Sequence, residues 1–266
     1  MTLRGFLGLA ALLIAGSVCA QSSSAVNPLA TRPGWEIGAQ LAQYEYREPD
    51  FAKLSGNRLG FDGAGTLTSG PLFGRFEARV SYGSLDYKGS GTSTAVPDWT
   101  LEARLLAGVE WLGSSASFSP YLGLGYRYLF DDLRGYSSTG AAGYRRYSNY
   151  IYAPVGFTLR FLLGDGWVLA PTLEADIFLR GKQISNLSET GIPGYQNVTN
   201  MQTSGRGHRA ALMFEKDKFA FGLWTHYWHI DDSDVQFAGV VAGTPRFGGE
   251  PENYTRESGI ELRYRF

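Results

Sequence analysis

Between Trp99 and Trp111 the chain alternates without a break. Trp99, Leu101, Ala103, Leu105, Ala107, Val109 and Trp111 fall on one face, and Thr100, Glu102, Arg104, Leu106, Gly108 and Glu110 on the other. A period of two over this length is that of an extended strand. Twelve steps of ~3.3 Å, tilted by ~40°, rise about 30 Å, enough to cross the ~25 Å apolar band of an outer-membrane barrel with one Trp at each edge. Soluble strands are typically about 5–6 residues long.

The pattern recurs. In 72–82, Leu72, Phe76, Ala78, Val80 and Tyr82 oppose Arg75, Glu77, Arg79 and Ser81. In 151–161, Ile151, Val155, Phe157, Leu159 and Phe161 oppose Tyr152, Thr158 and Arg160; in 167–179, Trp167, Leu169, Leu173, Ile177 and Leu179 oppose Thr172, Glu174 and Asp176. Read throughout, the chain predicts ten strands near 35–46, 57–68, 71–84, 98–112, 117–131, 148–163, 166–181, 205–215, 218–230 and 254–266. The second and eighth carry the weakest pattern, which leaves eight strands as the alternative. Short connections (69–70, 113–116, 164–165, 216–217) alternate with long ones (47–56, 85–97, 132–147, 182–204, 231–253). The fold class expected is therefore an all-β, antiparallel, up-and-down transmembrane barrel with long loops outside and both termini in the periplasm.

Aromatic residues collect at both expected membrane edges: Trp35, Trp111, Phe118, Phe161, Trp167, Phe219 and Phe266 on the turn side, and Tyr82, Trp99, Tyr128, Phe130, Tyr227 and Tyr254 on the loop side. Amphipathic rings prefer the headgroup level. A soluble β-sandwich or lipocalin-like barrel would bury such rows instead, and would not explain two girdles.

Ahead of the barrel, Arg4, the apolar stretch Phe6–Val18 and the small residues around Cys19-Ala20 read as a cleaved signal peptide over 1–20, with the site near Ala20. The competing reading lipidates Cys19. Residues 21–34, rich in Ser and Ala, are expected to be a disordered periplasmic lead-in to a barrel over 35–266. Cys19 is the one cysteine of the chain, so the exported part holds no disulfide, Cys₄ zinc site or thiol nucleophile. Charge is 18%, low for a globular chain, and Lys+Arg 24 against Asp+Glu 25 leaves no electrostatic footprint for nucleic acid. There is no cofactor motif.

The last strand, Ile260-Glu261-Leu262-Arg263-Tyr264-Arg265-Phe266, places Ile260, Leu262, Tyr264 and Phe266 on one face up to the C-terminus. It resembles the C-terminal assembly signal of bacterial outer-membrane barrels. That resemblance implies a monomeric proteobacterial outer-membrane protein of the small-barrel class, inserted by the barrel-assembly machinery and surrounded by outer-membrane lipid and lipopolysaccharide. It implies no activity.

With apolar residues outward, the lumen receives Arg58, Arg75, Arg79, Arg104, Arg127, Arg160, Arg180, Arg209, Arg263 and Arg265. Its acids are Glu36, Asp62, Glu77, Glu102, Glu110, Glu174, Asp176, Glu257 and Glu261. Near-balance of sign suits a lumen filled by paired charges, since a small barrel has room for little more than side chains. A narrow solute channel is the alternative. Ten strands invite comparison with the omptin proteases, which place an acidic pair on one wall and an Asp-x-His pair opposite. Here Asp131-Asp132 and His229-Ile230-Asp231 end the fifth and ninth strands. However, the His–Asp order is reversed, the acids are adjacent, and parity points His229 outward. His226 points inward and is the candidate base, with Asp131 and Asp231 as candidate acids; lipid A modification is a further enzymatic alternative. Asp231, Asp232 and Asp234 lack the Gly and distal Glu of a calcium loop, so no metal site is expected. Arg134, Tyr136, Tyr144, Arg145, Arg146 and Tyr147 in the third long loop combine rings and cations suited to lipopolysaccharide or a protein partner. The function expected is structural or surface-interacting, through the outer loops.

Overall fold

The structure, a computed structural model, describes residues 27–266. The signal segment and the first part of the lead-in lie outside the described residues. The elements are β1 Gly34–Glu48, β2 Ala52–Ser69, β3 Leu72–Gly89, β4 Gly91–Val109, β5 Trp111–Leu112, β6 Ala116–Tyr136, β7 Ala142–Gly164 and β8 Trp167–Ser185. They continue with a 3-10 turn at Leu187–Thr190, β9 Val198–Gln202, β10 Gly205–Lys216, β11 Phe219–Ile230, β12 Gln236–Val241, β13 Thr244–Gly248 and β14 Asn253–Arg265.

Antiparallel pairing runs β10-β11-β14-β1-β2-β3-β4-β6-β7-β8, and β8 pairs back onto β10, closing a barrel of ten staves. β5 continues β4 past Glu110, and β9 extends the β10 stave beyond a break at 203–204. Eight strands are thereby excluded. Following ladder partners from Gly56 through Tyr44, Glu257, His226, Arg209, Glu174, Gly156, Tyr121, Gly108 and Phe73 returns to β2 at Thr68, twelve residues further along. Such a shear tilts the strands by about 40°. Tight turns close one end, with positive φ at Gly70, Asp165, Gly166 and Asp217, as short hairpins of right-twisted strands require.

Over the turn-proximal part of the barrel, leucines, phenylalanines and tryptophans of alternate positions stand exposed on the outer wall, while Arg and Glu face inward. Nearer the loop end this polarity inverts. On β3, Leu85 is buried inside while Asp86 and Lys88 are exposed, and Tyr44, Tyr46, Leu54, Leu85 and Val96 form an inward apolar cluster with Tyr87 and Leu133 against it. The expected long loops 47–56, 85–97 and 132–147 are mostly strand for this reason. There the staves rise out of the apolar band, and their outer face becomes polar as in a soluble barrel. The remaining two long connections fold together: Gln196 N donates to Ala238 O (2.9 Å), Val240 N to Gly194 O (3.1 Å), and Asn200 Nδ2 to Asp234 O (2.8 Å) and Gly248 O (2.9 Å).

Two further expectations are corrected. Arg180 lies on the outer wall, because a bulge opposite Ile151 and Tyr152 turns both Leu179 and Arg180 outward and resets the parity beyond. Residues 27–33, expected in the disordered lead-in, cross the turn-end mouth. Leu29 is buried, Ser117 Oγ donates to Leu29 O (2.8 Å), and Thr31 donates from N and Oγ1 to Glu110 Oε1 (both 2.7 Å).

Inward-facing Gly125 leaves the space that the Tyr152 ring fills, and a Cβ there would overlap that ring, whereas Gly74 has no neighbour within 4 Å. Gly125→Val is expected to destabilise the refolded barrel by ~1–3 kcal/mol through overpacking, read as a lowered urea midpoint in vesicles. Gly74→Val should leave the midpoint in place.

Candidate functional site in the lumen

Parity and register bring the expected lumen residues into layers. At the turn end, Arg75 of β3 donates from Nη1 to Glu36 of β1 and from Nε to Glu77 (both 2.6 Å). Arg104 of β4 donates from Nε to Glu77 (2.8 Å) and reaches across the lumen from Nη1 to Glu174 of β8 (2.5 Å), which also accepts from Tyr121 Oη (2.8 Å). Arg263 pairs with Glu261 and faces Asp62 (3.4 Å), and Arg160 faces Glu110 (3.7 Å). A cavity of about 200 Å³ lies among these side chains.

The middle layer closes that cavity. Arg209 of β10 donates from Nε to Asp176 of β8 (2.7 Å) and from Nη1 across the lumen to Glu102 of β4 (2.9 Å). Tyr152 Oη accepts from Arg209 Nη2 (2.8 Å) and donates to Glu102 Oε1 (2.6 Å). Glu102, Asp176, Tyr152 and Arg209 are all buried. Beside them Arg79 meets Glu257 (2.6 Å) and donates from Nη1 to His226 Nδ1 (3.1 Å). Arginine offers only donors, so His226 is held neutral with its proton on Nε2. Arg127 is buried as expected but has no carboxylate partner among the described residues; its guanidinium lies over the Trp228 ring, 5.5 Å from the centroid.

Nearer the loop end lie two groupings absent from the sequence reading. Arg58 and Asp98, both buried, form an ion pair; Arg58 also donates to Thr100 Oγ1 (2.6 Å) and sits over Tyr44. Asp98 shares parity with Thr100 and Glu102, so extending the alternation by one step would have found it. Arg146, assigned by sequence to a loop, is inward on β7 and gathers Glu48 (2.5 Å), Glu250 (3.5 Å) and Asp131 (3.7 Å). Tyr46 Oη bridges Glu48 (2.8 Å) and Glu250 (2.9 Å). Glu250 belongs to the connection ahead of β14, so this contact ties the roof to the mouth of the barrel. Burial pushes its carboxyl up to about 7, against the opposing pull of Arg146 and with Glu48 adding to the rise.

The catalytic candidates do not converge. His226 is engaged by Arg79, Asp131 faces Arg146, and Asp231 is exposed beside His229 and Ser204. His229 faces outward, where its Nε2 meets Glu252 (2.7 Å). No hydroxyl is hydrogen-bonded to His226 among the described residues, so nothing there forms a nucleophile–base pair. No cluster of three metal-ligating side chains occurs among the described residues.

Arg209→Met leaves Glu102 and Asp176 buried with one cation fewer and is expected to cost ~3–5 kcal/mol. Arg134→Met, at the exposed Asp132 pair (2.5 Å), is expected to cost ~0–1 kcal/mol; urea midpoints in vesicles compare the two. A second prediction concerns pH. A carboxyl whose docked pKa is raised holds a proton that the undocked loop releases. Docking of Glu250 is thus strongest below about 4.5, its ordinary value, weakens as pH rises towards about 7, and is level above that. Amide exchange at Gly249, Glu250 and Glu252, corrected for intrinsic rate, is expected to lose protection between pH 5 and 8, and Glu250→Gln to abolish that slope.

No protein family is matched by the chain, and no curated protein is similar to it in sequence. Among solved structures it is similar to the outer membrane protease OmpT from Escherichia coli, at 8% identity and a TM-score of 0.54, over 90% of this chain and 100% of that one. Weaker similarity links it to Ail, the attachment invasion locus protein of Yersinia pestis (14% identity, TM-score 0.34, 88% and 100% covered). Neisserial surface protein A is also similar (12% identity, TM-score 0.36, 88% and 97% covered). Identity this low speaks for the fold alone: a closed ten-stranded antiparallel barrel of the bacterial outer-membrane kind.

Proposed function

We propose that the chain is a non-conducting outer-membrane protein that presents a folded loop platform outside the cell. The observation that carries this reading is the pairing of a lumen crossed by buried ion pairs with an ordered roof above it. Glu102, Tyr152, Asp176 and Arg209 occupy the middle of the barrel, and Arg58 and Asp98 fill the next layer. Channels selective for ions favour rings of one sign, whereas here each cation is spent on an acid or a ring. The roof joins 186–203 to 231–252, and its hairpin exposes Phe237, Val240 and Phe247 next to Ile192. Apolar side chains held rigidly at the top of a barrel suit contact with another macromolecule.

Export through the signal segment and assembly through the terminal Phe266 belong to the same proposal, with the roof outside and the tight turns in the periplasm. The chain carries one Cys, in the signal segment, so single cysteines report location cleanly. Phe247→Cys is expected to react with a membrane-impermeant maleimide on intact cells, and Ser114→Cys at a tight turn only after lysis. The reverse pattern would overturn the orientation, and labelling of neither without lysis would overturn surface display.

A further inference from the structure

The outer wall of the barrel is asymmetric at the level where the apolar band ends. On β3, β4 and β6 it carries Tyr82, Trp99, Tyr126 and Tyr128. The nearby cations of that side, Lys88, Arg134 and Arg145, stand higher, and the two arginines are paired with Asp132 and Glu189. On β8, β10 and β14 the same level carries exposed Arg180, Arg206 and Arg256, none with a carboxylate partner among the described residues. The acids close by are engaged elsewhere: Glu45 by Lys53 (2.6 Å), and Glu252 by His229 and Tyr254.

Ladder register sets these cations around flat rings. Arg206 is opposite His229, Arg256 is opposite Tyr227, and His229 stacks on Tyr254 with centroids 4.6 Å apart. Below them each strand grades into hydrocarbon on the same face. β14 reads Arg256, Ser258, Ile260, Leu262; β11 reads Tyr227, Thr225, Leu223, Phe221; β10 reads Arg206, His208, Ala210, Leu212. The lower positions line an apolar groove of about 600 Å³, bounded by Leu41, Leu59, Leu212, Leu223, Ile260 and Leu262.

We infer that this wall, from β8 to β1, is a binding site for one molecule of the phosphorylated, multiply acylated glycolipid of the outer leaflet. Arg206 and Arg256 take its phosphates, the Tyr227 and Tyr254 rings lie against its sugars, and the groove takes acyl chain. Guanidinium groups match phosphate oxygens in a two-point fork. An attraction to bulk headgroups alone would call for cations all round the barrel, whereas here the unpaired arginines at this level, Arg47 of β1 among them, share one wall with the groove. The inference rests on the outer-membrane placement proposed above and is independent of what the roof contacts.

The test is native mass spectrometry of the refolded full barrel titrated with diphosphorylated hexa-acyl lipid A, its dephosphorylated form and phosphatidylglycerol. One lipid A per barrel is expected, with at least tenfold weaker binding of the other two lipids. Arg206→Ser/Arg256→Ser is expected to weaken lipid A at least tenfold, and the control Arg134→Ser/Arg145→Ser to bind as wild type. Leu223→Trp/Ile260→Trp, which fills the groove, should also weaken it. Heat-modifiable migration confirms that each variant is folded. Equal binding by the Arg206/Arg256 variant, or equal binding of the phosphate-free lipid or of phosphatidylglycerol, would overturn the site. A barrel that fails to enter bilayers at all would overturn the placement instead.

Discussion

A guanidinium buried at the centre of a narrow barrel needs partners of opposite charge, and the structure follows from how Arg209 is satisfied. It binds Asp176 on the neighbouring stave and Glu102 on the far wall, with Tyr152 completing the set. Inside a closed sheet a charge that lacked such partners would cost several kcal/mol. Each inward Arg therefore calls for an acid or a ring at a fixed register, which pins the pairing of strands distant in sequence. Glu102 and Arg209 are 107 residues apart, so that register becomes defined only when the barrel closes.

Two opposite polarity rules operate along each stave. In the turn-proximal band apolar side chains lie outside and the ion pairs inside. Towards the loop end Leu54, Leu85 and Val96 turn in, while Asp86 and Lys88 turn out. The same alternation serves both parts, with its sense reversed. Arg146 stands beyond that reversal, with Glu48, Tyr46 and Glu250, and fastens the roof at the place where the outer face turns polar.

The sequence made the barrel, its strand number and the inward faces legible, because a period of two survives any uncertainty in strand ends. It failed in two ways. Strand ends near the roof were read as loops, since outward Asp86 and Lys88 look like solvated turn residues unless the inward set is read as the apolar one. Arg180 was placed inside because a bulge has no mark in a single sequence; one extra residue flips every position beyond it. The balance of charge predicts paired arginines in the lumen, as Arg75, Arg104 and Arg209 are, but not that Arg127 lies over the Trp228 ring instead. Which partner each arginine finds was not legible, because Arg104 reaching Glu174 on the far wall depends on the lumen diameter.

In the proposed reading, cross-lumen ion pairs fill the barrel and leave no path through it. Single-channel recording of the refolded protein in a planar bilayer tests it directly, with insertion shown independently by heat-modifiable migration and protease protection. A silent bilayer is expected for the wild-type chain, and discrete steps once Arg209, Glu102 and Arg104 are all truncated to Ala. Stepwise conductance from the inserted wild-type barrel would contradict it.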